Sequence, residues 1–206
     1  MAFGALFIAL LSVVELFGAW FTSFDPLRTL VPGRAAIAPS SAACFVFIAA
    51  MIGSLRSRFF AEKVIFNVAL LWATAICLVN LYLLVLGYPQ GIDGLLGVVD
   101  DETAFMPMAS TLSILVLLGI LVAANYGGDN IYRIAKQIAI VGVVGASFAL
   151  FTNLISDPTT MPDFLACMSV PSQIILLLSF SLLLFDLYVL TEGEPDQRMF
   201  GGPSLL

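Results

Sequence analysis

The chain has 206 residues, of which 61% are hydrophobic and only 11% charged, so it lacks the polar surface that a water-soluble domain of this size requires. A mean hydropathy of +1.07 puts most of it in lipid. The net charge of −6 excludes a nucleic-acid partner, which needs clustered Lys and Arg, and the absence of histidine excludes His-ligated haem or chlorophyll, His-bearing zinc sites and Ser-His-Asp hydrolysis.

Apolar runs able to cross about 30 Å of hydrocarbon, at roughly 20 residues each, predict six transmembrane helices near 3–21, 42–55, 64–87, 106–125, 136–156 and 171–191, the second reaching back as far as Ile37. The first lacks the basic flank and small-x-small site of a cleaved leader and is read as a span. Residues 1–191 form the membrane domain and 192–206 a short tail. Cys44 and Cys77 fall in spans and Cys167 in a loop, which reads as three free thiols.

Basic residues set the direction, because short loops rich in Lys and Arg stay in the cytoplasm. Arg56, Arg58, Lys63, Arg133, Lys136 and Arg198 fall on one side; Arg28 and Arg34 fall on the other, with Asp93, Asp100, Asp101, Glu102, Asp157 and Asp163. Both termini are therefore expected in the cytoplasm. The all-α fold is expected to be a bundle of three hairpins in series.

A weak phrase recurs before the second, fourth and sixth spans: Ile37-Ala38-Pro39-Ser40-Ser41, Met106-Pro107-Met108-Ala109-Ser110 and Met168-Ser169-Val170-Pro171-Ser172. Each carries a serine at the same slot, about one hairpin apart. Ser41, Ser110 and Ser172 are expected within one turn of a helix N-terminus, capping or nearly capping free N–H groups. An Asp with a downstream Leu also recurs, as Asp25 to Leu30 and Asp93-x-Leu95-Leu96.

This phrase order resembles the multispan N-terminal sensory modules, of the MASE-like kind, of bacterial sensor histidine kinases and diguanylate cyclases. Leu27-Arg28-Thr29-Leu30-Val31-Pro32, Gly91-Ile92-Asp93-Gly94-Leu95-Leu96 and Glu194-Pro195-Asp196-Gln197-Arg198-Met199 are similar to connecting phrases there. The resemblance implies a membrane-embedded input module acting on a transmitter. Ile37 and Phe105 depart from the expected Met, and the sequence given holds no phosphoacceptor His, Gly-Gly-Asp-Glu-Phe run or PAS-sized segment. Signalling would therefore pass through a separate protein.

Within the spans, Glu15 is expected to face protein, because an unpaired carboxylate in lipid is costly; Asp186 lies near the polar tail and reads as interfacial. Asn67, Asn80 and Asn153 are candidates for hydrogen bonds between helices. Gly142 and Ala146 form a small-xxx-small pair for helix packing or a partner. Asp100-Asp101-Glu102 lacks the alternation and glycine of a calcium loop and reads as a solvated acidic run. No catalytic residues, cofactor or metal site are expected.

Two functions fit. The first is a non-catalytic accessory subunit of a bacterial inner-membrane complex, with other integral membrane proteins and lipids as partners and a homo-oligomer left open. The second is a sensory input module that binds a small apolar ligand between its helices. Glu15 separates scaffolding from chemistry: if it only holds helices together, Glu15→Gln preserves assembly of the complex while Glu15→Leu weakens it by about 0.6–2 kcal/mol, measured by co-purification across a detergent titration. Loss of the complex's activity in Glu15→Gln with assembly intact would instead assign the carboxyl a proton or ligand role.

Overall fold

A computed structural model describes residues 2–20, 36–55, 59–95, 105–155 and 168–192. Among them there are helices and no strands: α1 (Ala2–Trp20), α2 (Pro39–Gly53), α3 (Phe60–Val85), α4 (Gly91–Leu95), α5 (Met108–Tyr126), α6 (Asp129–Ile155) and α7 (Val170–Glu192). By length and composition α3, α5, α6 and α7 can each cross a membrane, whereas α1 and α2 offer shorter apolar stretches.

The helix limits follow from local chemistry. Pro39 opens α2 at the position where its missing N–H costs nothing. At the end of α3, Gly87 adopts φ +87°, while the N–H groups of Tyr88 and Gly87 donate to the carbonyls of Leu83 (3.0 Å) and Leu84 (3.1 Å). That is a Schellman closure, which requires a left-handed residue. Gly127-Gly128 turns the chain tightly from α5 into α6. α6 begins seven residues earlier than its apolar run, because Asp129 in its first turn suits the positive helix end and the stretch through Lys136 continues the helix. A further departure is α4, which forms in what the sequence presents as a Gly-rich loop.

The helices alternate between inner and outer positions. α2, α5 and α7 touch one another, while α1 lies against α2 and α7, α3 against α2 and α5, and α6 against α5 and α7. α2 is largely buried, whereas α3 and α6 expose apolar side chains such as Val68, Leu71, Trp72, Val141, Val144 and Phe148. A belt of this kind is suited to lipid.

Among the described residues, side-chain hydrogen bonds between helices gather at the two ends. At the end holding the α5–α6 turn, Tyr126 donates to Asn67 Oδ1 at 3.0 Å and its ring meets Phe66 edge-on, centroids 5.9 Å apart. There Lys136 Nζ lies 4.6 Å from the centre of the Tyr188 ring and donates to Thr191 Oγ1 at 3.4 Å, as a cation reaching out of the hydrocarbon does. Cys44 on α2 and Cys77 on α3 are free and buried and lie close enough to influence each other, so residues distant in sequence are neighbours in the core.

Gly142 lets α6 approach α7 closely: a Cβ there would come within 2.5–2.8 Å of the Phe180 ring, whereas one at Gly145 would meet nothing within 4 Å. Gly142→Ala is therefore expected to destabilise the fold by about 1–3 kcal/mol through overpacking. Gly145→Ala should be neutral or stabilising by up to about 1 kcal/mol through helix propensity. Thermal unfolding in mild detergent compares the two; equal effects would mean that the α6–α7 contact is looser than described.

Candidate functional site

The most concentrated polar constellation lies at the opposite end of the bundle, where α2 and α5 begin and α3 ends. Asp93 projects from α4 and is 1% exposed. Its Oδ1 accepts the N–H of Ser40 at 3.0 Å; Oδ2 accepts the Ser40 hydroxyl at 2.8 Å and the Met106 N–H at 2.9 Å. Ser40 is the second residue of α2, so a carboxylate delivered from another loop satisfies one of the free donors at this helix start and sits favourably in its dipole.

Asn80, fully buried on α3, completes the constellation. Its Nδ2 donates to the Met106 carbonyl at 3.0 Å and to Thr111 Oγ1 at 2.8 Å, while its Oδ1 accepts the Ile92 N–H at 2.9 Å. Met106 thus has its N–H held by Asp93 and its carbonyl held by Asn80. Gly91 must be glycine: it has φ +54°, and a Cβ there would collide with Asn80 Oδ1.

The candidate residues take several roles. Asn153 on α6 repeats part of the Asn80 pattern, donating to the Met168 carbonyl at 2.9 Å. Asn67 is exposed and bonds to the Lys63 carbonyl of its own helix at 3.0 Å as well as to Tyr126. Gly142 faces α7 of the same chain, and Ala146 lines a groove beside it. Glu15 lies on α1, with its side chain outside the described residues.

Ser41, Ser110 and Ser172 are each the third residue of their helix, and all are buried. They are within the first turn but do not occupy the capping position. Ala38 and Pro107 flank α2 and α5 without a side-chain cap. At α7 the cap is Ser169, whose Oγ accepts the Ser172 N–H at 3.3 Å and donates to Ser172 Oγ at 2.8 Å. A serine at the third position has already passed the place from which its oxygen can reach back to the free donors.

A second feature lies between α5, α6 and α7. A cavity of about 450 Å³ is lined by Ala109, Ser113, Val116, Gly145, Ala149, Met168, Gln173 and Phe180 among others. It meets, at Val116 and Ile138, a further apolar space of about 330 Å³ beside Gly119 and Ala135. Gln173 is fully buried, and neither its Nε2 nor its Oε1 has a hydrogen-bond partner.

Among the described residues no cluster of His, Cys, Asp and Glu is arranged to hold a metal. Compared with known proteins, the chain matches no family model, no curated protein and no solved structure.

Sequence reasoning counted Asp93 among the acidic loop residues and gave Gln173 no role. Asp93 had one faint signal: Asp-x-Leu occurs in all three long loops, as Asp25-Pro26-Leu27, Asp93-Gly94-Leu95 and Asp163-Phe164-Leu165.

Burial pushes the Asp93 carboxyl above the usual carboxylate range, against the pull of the bonds from Ser40 and Met106. A raised folded-state pKa means that the fold binds an extra proton between the ordinary value and the raised one, so stability is greatest on the acid side and falls as pH climbs through that window. Asp93→Asn abolishes this dependence and turns a donor towards a donor, at a cost of about 1–3 kcal/mol. Thermal unfolding of both proteins across pH checks this: the wild-type advantage should shrink as pH rises. An advantage that grows would mean the three donors, not burial, govern the carboxyl.

Proposed function

We propose that the chain is a non-catalytic accessory subunit of six spans, built as three hairpin repeats with both termini cytoplasmic, which packs against and stabilises or modulates a larger complex in a bacterial inner membrane. One observation carries this reading: the principal buried polar side chains at the outer end, Asp93, Asn80 and Asn153, engage neighbouring backbone and so hold helices rather than face a substrate. Two outer helices, α3 and α6, turn broad apolar faces outward. The repeat is supported by the matching third-position serines and by the Asn80–Met106 and Asn153–Met168 bonds, which join the same slots of successive phrases.

A second reading is favoured by the cavity beside Gln173. In that reading the chain is an input module, as the resemblance to MASE-like domains implies, taking an apolar ligand between its helices and acting on a separate transmitter.

Purification from native membranes in mild detergent, followed by mass spectrometry, tests both. A stoichiometric membrane complex is expected; a kinase or cyclase as the main partner favours the input module, and a chain that purifies alone overturns the subunit reading. The orientation is tested in a cysteine-free background carrying Arg58→Cys or Asp101→Cys. An impermeant reagent applied to intact cells should label position 101 and not 58, and the reverse pattern overturns the topology.

A further inference from the structure

The groove between α5 and α6 lies where, among the described residues, a closure made elsewhere in the bundle is not repeated. At the α2–α3–α5 junction, Ser40 takes up Asp93 and Thr111 takes up Asn80. The same slots of the following phrases hold Ala109 and Gln173. Ala109 has no hydroxyl to offer a carboxylate. Gln173 sits where Thr111 would bond to its asparagine, yet both ends of its amide are unpartnered while Asn153 donates only to Met168. Ala109 and Gln173 both line the cavity of about 450 Å³. The fold therefore departs from its own local rule at the place where it leaves space, and such departures mark functional positions.

We infer that this groove binds a single-chain amphiphile whose terminal carboxylic acid, protonated, or primary amide pairs with the Gln173 amide. The pairing follows from the inventory of donors and acceptors. Nε2 needs an acceptor and Oε1 needs a donor, and an acid or amide head supplies both from one planar group. An ester or a quinone carbonyl satisfies Nε2 alone, and a hydrocarbon satisfies neither. A carboxylic acid stays neutral in such a site because burial disfavours its charged form.

The body of the ligand is set by the rest of the groove. Its walls are apolar apart from Ser113, whose hydroxyl is engaged by the Ala109 carbonyl at 2.8 Å. Small residues keep it open: Cβ atoms at Gly145 and Gly119 would meet nothing within 4 Å. Together the two spaces extend along α6 from Ala149 to Ile131, roughly 27 Å at 1.5 Å per residue. That is room for a long acyl chain lying parallel to the helices. The volumes fall within the range of pockets that enclose small ligands.

The inference rests on the part of the second reading in which the chain takes a ligand, and it needs no transmitter. The full chain in mild detergent is titrated with hexadecanoic acid, hexadecanamide, methyl hexadecanoate and hexadecane, and thermal unfolding is followed. Acid and amide should stabilise saturably, with affinities about tenfold or more above the ester, the factor that corresponds to about 1.4 kcal/mol. Gln173→Leu should bring the acid down to the level of the ester. Gly145→Leu, which fills open space, should abolish binding of both without loss of helical circular dichroism.

Equal binding of all four probes would reduce the groove to a seat for any lipid tail and overturn the inference. A preference for acid that survives Gln173→Leu would do so as well. Mass spectrometry of lipids extracted from the natively purified protein tells the sources apart: a stoichiometric long-chain acid means the bilayer supplies the ligand, and binding of added acid without one means that it comes from outside. Acid binding without a co-purifying transmitter removes the input-module reading and leaves the site; a transmitter without acid binding removes the site alone.

Discussion

A helix that starts near the hydrocarbon has free N–H groups and little water to give them, and that constraint shapes the end of this bundle where α2 and α5 begin. The start of α2 meets it with a carboxylate brought from α4, 53 residues away in the chain. Asp93 accepts from Ser40 and from Met106, so the segment leading into α5 is held by the same group that satisfies α2. Asn80 then holds the other side of the Met106 peptide and the first turn of α4. Three helix ends and a connecting turn are fixed by two side chains. Loss of either would leave several buried groups unpartnered together, which costs more than one surface bond.

The inner and outer placement of the helices follows from the same economy of polar groups. α2, α5 and α7 begin at the end where Asp93, Asn80 and Asn153 supply partners, and they take the central positions where such partners are reachable. The outer helices α3 and α6 carry Asn80 and Asn153 near their final turns, and Asp93 comes from α4. Along the rest of their length they expose branched and aromatic residues, and only lipid or another apolar protein surface covers these without loss.

The helices themselves were legible in the sequence, because uninterrupted apolar runs need no tertiary information, and among the described residues α3, α5, α6 and α7 are long and apolar enough to cross a membrane. The predicted limits lie within a few residues of the helix ends, except at α6, where Asp129 to Lys136 is helical but polar and therefore invisible to a hydropathy argument. The serines at 41, 110 and 172, expected within one turn of a helix start at or near the cap, are each the third residue of their helix, since composition cannot fix a helix start to one residue. Asp93 carried only the faint Asp-x-Leu signal, for a different reason. In an acidic, Gly-rich loop a carboxylate looks solvated, and only the arrival of Ser40 and Met106 reveals that it is buried. Cys44 and Cys77 likewise share no local pattern and meet only through the packing of α2 on α3.

An approximate repeat is most informative where it fails. If all three phrases had matched, each junction between hairpins would close in the same way, and the bundle would be a uniform scaffold. The slot filled by Ser40 holds Ala109 in the next phrase and Pro171 in the last. Ala109 lacks the hydroxyl, and Pro171 lacks the N–H, so neither can reproduce the two-point contact that Asp93 makes with α2. Among the described residues the closure forms at one junction. Between α5 and α6, alanine and glycine replace bonding groups, and Gln173 carries amide atoms that no neighbour reaches. In an interior where an unpartnered amide is costly, a sequence selected only for packing has several apolar residues of similar volume to place at that position. Gln173 in an apolar wall is thus the residue at which the demands of the scaffold and of a ligand diverge.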